Sequence, residues 1–156
     1  MVRLGLWLIC IVVCSGCFVH PEKNSGPDGY RDQAAMATLG EWIPDNIGEP
    51  GDTTDWRRID LDAGDSVRVR VVVQRKLANV DVGLYEARGI LLKHAVRPVI
   101  AHDGYRMDLH DELRDGTYYV RIRSLDRRAT PYSIQIVSGP EARTTIHRDS
   151  NSPPPQ

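Results

Sequence analysis

The chain has 156 residues, of which 41% are hydrophobic, 26% charged and 6% aromatic, with 20 Lys+Arg against 21 Asp+Glu. That length suits one domain, and the near-neutral balance lacks the basic excess of a general nucleic-acid binder. The apolar fraction is too high for a wholly disordered chain.

The chain opens with one positive charge, Arg3, then an almost wholly apolar run over 4–13, then Cys14-Ser15-Gly16-Cys17. These are the parts of a secretory signal, and about ten apolar residues fall short of the roughly 20 a spanning helix needs. Ser15-Gly16-Cys17 resembles the lipobox of bacterial lipoproteins, with Cys14 standing where that pattern has an aliphatic residue. The resemblance implies a signal over 1–16 and a covalent lipid, palmitate included, on Cys17. The alternatives are a plain secretory signal cleaved nearby or a buried apolar N-terminal strand. By the sorting rule of enteric lipoproteins, Phe18 does not signal retention at the inner membrane, which implies the outer membrane. Cys10 and Cys14 would then leave with the signal, and no thiol would remain for a disulfide, metal or nucleophile.

Residues 17–38 carry Pro21, Gly26, Pro27 and Gly29 with no sustained apolar period, and are expected to form the lipidated cysteine and a flexible tether. A chain of about 20 such residues reaches roughly 25 Å. Over 39–138 the apolar period is two. Val67, Val69, Val71 and Val73 alternate with Arg68 and Arg70; Tyr118, Val120 and Ile122 alternate with Tyr119, Arg121 and Arg123. Tyr132, Ile134 and Ile136 continue the pattern, and shorter runs at 56–61, 80–86, 90–96 and 105–109 add strands. Strict alternation of β-branched residues makes half-buried strands, and Asp/Gly turns at Gly64, Gly89, Gly104 and Gly116 separate them. The expected fold is an all-β antiparallel β-sandwich, jelly-roll-like, of seven or eight strands. Residues 139–156, rich in Pro, Ser, Thr and Arg, are expected to be a disordered tail.

Several pieces fall in one order: Asp52-Thr53-Thr54-Asp55-Trp56, the turn Asp62-Ala63-Gly64-Asp65, Asn79-Val80-Asp81-Val82-Gly83-Leu84-Tyr85, and Leu113-Arg114-Asp115-Gly116-Thr117-Tyr118-Tyr119-Val120. Together, over 40–137, they resemble the bacterial pre-peptidase C-terminal (PPC) domain, a β-sandwich appended to secreted peptidases. No peptidase accompanies it here. Arg57 departs from the family, which tends to an aromatic after the Trp-like position. Its inward parity with Ile59 and Leu61 predicts a guanidinium at the core edge, paired or snorkelling.

Candidate chemistry is sparse. His94, His102 and His110 lie eight apart on different elements, His20 and His147 lie outside the domain, and zinc would need three or four ligands to converge. Ser66, Ser124, Ser133 and Ser138 sit in no Gly-x-Ser-x-Gly elbow, so no catalytic residue is assigned. Some relatives bind calcium through acidic residues, which makes Asp55 and Asp81 the calcium candidates, although each more often caps a turn. Arginine outnumbers lysine 17 to 3. Arg68, Arg70, Arg121 and Arg123 share outward parity, so neighbouring strands would align them as an anionic-partner face; the alternative is a solvated face neutralised by Asp60 and Asp108.

The function expected is that of a non-enzymatic, lipid-anchored cell-envelope protein. Its sandwich binds or scaffolds a protein partner, as an accessory of an envelope complex, without cofactor or nucleic acid. The alternative is a glycan- or peptidoglycan-binding module stacking sugars on Trp42, Trp56, Tyr85 or Tyr105. Exposed, aligned aromatics would favour glycan; an apolar or charged patch beside an open edge strand would favour protein. An unrecognised envelope hydrolase comes third and requires converged Asp, His and Ser.

Overall fold

A computed structural model describes residues 26–75, 77–96 and 104–143. The strands are β1 (Ala35–Met36), β2 (Trp42–Ile47), β3 (Thr54–Leu61), β4 (Asp65–Val73), β5 (Val80–Glu86), β6 (Leu91–Val96), β7 (Tyr105–Leu113), β8 (Gly116–Ser124) and β9 (Thr130–Ser138), and a helical turn, α1 (Pro140–Arg143), follows them. They form a five-stranded sheet ordered β1-β3-β8-β5-β6 and a four-stranded sheet ordered β2-β9-β4-β7. Every pairing is antiparallel except β1 with β3. The fold is an all-β sandwich.

Alternation dictates the packing. Val67, Val69, Val71 and Val73 of β4 are buried, while Arg68 and Arg70 point outward and are half-buried. They meet Val80, Val82 and Leu84 of β5, Val120 and Ile122 of β8, and Ile134 and Ile136 of β9 in one core. Each such side chain contributes about 1.5–3 kcal/mol by leaving water. Tyr105 also belongs to this core: its hydroxyl donates to the Ala78 carbonyl (2.8 Å) and accepts from the Val80 N–H (3.1 Å).

Two strands go beyond those expected. β2 reads Trp-Ile-Pro-Asp-Asn-Ile and lacks alternation, yet it forms because it is an edge strand, where exposed Pro44 needs no ladder N–H. β1 is two residues long, too short for any period. The domain also begins before residue 39. Buried Asp28 accepts the Trp56 N–H through its carbonyl (2.7 Å), and the Ala37 N–H donates to the Arg58 carbonyl (2.9 Å). The described end of the expected tether is therefore part of the sandwich. The expected tail is likewise ordered at its start: Ala142 is buried, and Arg143 donates to Ser66 Oγ (2.9 Å) and to Asp65 (3.0 Å). Cys10, Cys14, Cys17, Phe18 and the signal lie outside the described residues, as do His20, His102, His147 and the rest of the tail. Among the described residues no helix is long and apolar enough to cross a membrane.

Candidate binding face

The four arginines expected to align do not. Arg68 and Arg70 lie on β4 of the four-stranded sheet, and Arg121 and Arg123 on β8 of the five-stranded sheet. Both pairs face outward, so the sandwich core separates them. Parity was right, but the strands belong to different sheets. On the four-stranded side Arg70 bonds Gln135 (3.0 Å) and stands 4.0 Å from Asp108, which itself holds Arg106. Burial, then the neighbouring Arg106 and Arg68, press the Arg70 guanidinium below its ordinary value.

The five-stranded side is different. Register places Trp56 beside Arg121, Arg121 beside Gly83, and Gly83 beside His94. The next row carries Thr54, Arg123 and Asp81, and the row on the other side carries Arg58, Tyr119 and Tyr85. All these positions point away from the core. Tyr85 folds its ring over Gly83, where an added Cβ would lie 2.7 Å from the ring, so only glycine admits this arrangement. Trp56 meets Tyr85 with ring centroids 5.3 Å apart, and Tyr119 edge-on at 6.5 Å. The Arg121 guanidinium sits 5.9 Å from the Trp56 ring and 5.1 Å from the Tyr85 ring. Arg31, from the 3-10 turn ahead of β1, covers Tyr119 at 5.8 Å. Burial raises the Tyr85 hydroxyl above its ordinary value, with Arg121 opposing.

Asp81 is the hub of the charges here. Arg123 reaches it at 2.8 Å, Arg121 at 3.5 Å and His94 Nε2 at 3.6 Å. Of the expected neutralising partners, Asp108 stands across from Arg70 at 4.0 Å on the four-stranded sheet and also holds Arg106, as expected of a neutralised face. Asp60 lies on the outer face of the five-stranded sheet and bonds Arg58 and Thr117, not Arg121 or Arg123.

Asp55 and Asp81 cannot share an ion, because they face opposite sides of one sheet with β8 between them. Asp55 points inward and accepts the Tyr132 hydroxyl (2.6 Å). Burial pushes its carboxyl up to about 8, the Tyr132 bond opposes this, and Asp52, Asp28 and Asp45 add to it. Beside it, Arg57 is buried and paired with Asp28 and Asp45, closing the side of the sandwich between β3 and β2. Among the described residues no three His, Cys, Asp or Glu gather as a metal set. His94 and His110 stand on different sheets. Ser66 bonds Glu112 and Arg143; Ser124 Oγ is buried with no partner among the described residues.

Of the four aromatics offered for stacking, Trp56 and Tyr85 come together. Trp42 faces outward on the other sheet, and Tyr105 is in the core. Tyr119, Arg31 and the His94–Asp81 contact were missed. Tyr119 shares the parity of Arg121, and an isolated glycine inside the apolar run at 80–85 signals a close approach.

No protein-family model and no curated protein sequence matches the chain. Solved structures match in fold. The pre-peptidase C-terminal domain of a Bacillus anthracis collagenase is 14% identical, covers 66% of this chain and 93% of that domain, and superposes with a TM-score of 0.56. The chain is similar in fold to a PPC domain. A periplasmic inhibitor of g-type lysozyme from Aeromonas hydrophila (11% identical, 68% and 96% covered, TM-score 0.47) and a family 35 carbohydrate binding module from an environmental isolate (13%, 70% and 82%, 0.44) resemble it more loosely. At such identities the PPC-like sandwich is what the likeness shows.

Proposed function

We propose that this protein is a non-enzymatic binding module of the cell envelope, held at the membrane by lipid on Cys17, which binds a saccharide across the outer face of the five-stranded sheet. The observation that carries this reading is the meeting of Trp56 and Tyr85 at Arg121 on that face, with Tyr119 edge-on to Trp56. Half-buried Trp56 offers ring surface for stacking, with Tyr85 and Arg31-covered Tyr119 set at an angle beside it. The strand edges argue against recognition by strand addition. β6 is short, bulged against β5 and carries Lys93; β7 carries Arg106, Asp108, His110 and Glu112; β2 carries Pro44. Each is a device that blunts edge pairing.

A second reading, the protein-binding scaffold, draws on Ile90, Leu91 and Val96, which are 56%, 47% and 53% exposed on or beside β6. One experiment separates the two. The full chain in detergent micelles is run through native gels containing soluble polysaccharides, beside Trp56→Ala and Leu91→Asp variants. Retardation lost in Trp56→Ala supports the saccharide reading. Absence of retardation, with a crosslinked protein lost in Leu91→Asp, transfers the function to β6. The anchor is tested by Cys17→Ser, expected to abolish incorporation of a palmitate analogue and to leave the membrane fraction; a variant that stays membrane-bound refutes it.

A further inference from the structure

We infer that the saccharide is acidic and that Arg121, with Arg123 beside it, receives its carboxylate; this rests on the saccharide reading above. The outer face holds more cation than it neutralises. The outward strand positions of β3, β8 and β5 carry Arg58, Arg121 and Arg123 against Asp60 and Asp81, and Arg31 adds to the positive side. Arg58 and Asp60 satisfy one another at 2.9 Å. That leaves Asp81 to serve Arg121, Arg123 and His94 together, and the short bond, 2.8 Å, goes to Arg123.

Arg121 is the guanidinium left under-bonded. Its two contacts with the Asp81 oxygens are 3.5 Å long, at the outer limit of a hydrogen bond. A guanidinium carries five donors in a planar fork that matches a carboxylate. Here the guanidinium rests against both the Trp56 and Tyr85 rings, so little rotamer entropy is lost when an anion docks. Its side chain remains 21% exposed, at the centre of the face. A sugar ring over Trp56 would bring a ring carboxylate to this fork, whereas a neutral sugar would leave it unfilled.

The test uses the full chain in micelles with polygalacturonate as the acidic probe and dextran as the neutral one, in 0.3 M salt as an order-of-magnitude screen against non-specific attraction. Polygalacturonate should retard the protein and dextran should not. Arg121→Leu should weaken the interaction about tenfold or more, Arg121→Lys should weaken it less, and Arg68→Leu, on the opposite sheet, should leave it unchanged. Retardation by dextran alone, lost in Trp56→Ala, overturns the inference and keeps the saccharide reading. No retardation by polygalacturonate, dextran or any other polysaccharide tried removes both. Equal losses in Arg121→Leu and Arg68→Leu overturn the inference in favour of general electrostatics. Should Arg121→Leu fail to fold, Arg121→Lys decides: undiminished retardation then refutes the fork.

Discussion

The two faces of the five-stranded sheet each gather arginine around aspartate, for opposite ends. On the inner face Arg57 has a carboxylate on each terminal nitrogen, Asp28 and Asp45, and is 4% exposed. On the outer face two arginines and a histidine share one aspartate, Asp81, and the arginines keep 21% and 44% of their side chains in water. The inner arrangement closes the sandwich and pins the N-terminal segment. The outer one holds unspent cation against aromatic rings. Adjacent residues of β3 serve both, Asp55 and Arg57 inward, Trp56 and Arg58 outward. The difference teaches that charge satisfied inside a sheet reads as stability, and charge left over outside it reads as recognition.

The largest break of this contrast is Arg57→Met. It strands two carboxylates in a site built for a cation, and breaking a buried pair in this way costs about 3–5 kcal/mol. Urea denaturation should show a midpoint lowered to match, with polysaccharide retention per folded molecule unchanged. A loss below about 1 kcal/mol would mean that the inner cluster is not what closes the sandwich.

The next break is a pH dependence. Burial raises the Asp55 carboxyl from 3.8 to about 8, so the folded protein keeps a proton that the unfolded chain has released between those values. Its stabilising contribution is therefore complete below about pH 4 and is lost as pH rises through 8, with a slope of at most about 1.4 kcal/mol per pH unit. Thermal melts should fall from pH 5 to pH 8 in the natural protein, and Asp55→Asn, which keeps a bond to Tyr132 without the charge, should flatten that fall. An identical slope in the variant would place the titrating group elsewhere.

Much of the sandwich was legible because its strands announce themselves by local alternation. All seven runs read that way are strands; 80–86 keeps its bounds and 90–96 begins one residue later, at Leu91. β7 continues through Asp111 and Glu112 because cross-strand pairing with β4 carries them. The remaining elements depend on distant partners. β2 exists because β9 offers it an edge, and Asp28 is buried because Arg57, 29 residues on, meets it. The binding face failed for a related reason. Parity tells inward from outward, but not which sheet a strand joins, so Arg68 and Arg121 looked equivalent. Trp56, Arg121 and Tyr85 are neighbours only because β8 lies between β3 and β5.

The smallest expected effect sharpens the comparison most. Arg121→Leu removes two ring contacts and a long ion pair, but Asp81 keeps Arg123 at 2.8 Å and no carboxylate is stranded. Cation–π contacts at such a site are worth about 0.5–1 kcal/mol, and exposed ion pairs less. The stability lost should therefore be about 1 kcal/mol or less, a few degrees in a melt of a domain this size. Set beside Arg57→Met, this gives two arginines of one sheet, one costly to remove and silent in binding, the other cheap to remove and decisive. Were Arg121→Leu to cost as much as Arg57→Met, the outer cluster would be a structural clamp, and its surplus of cation would lose its claim to a ligand.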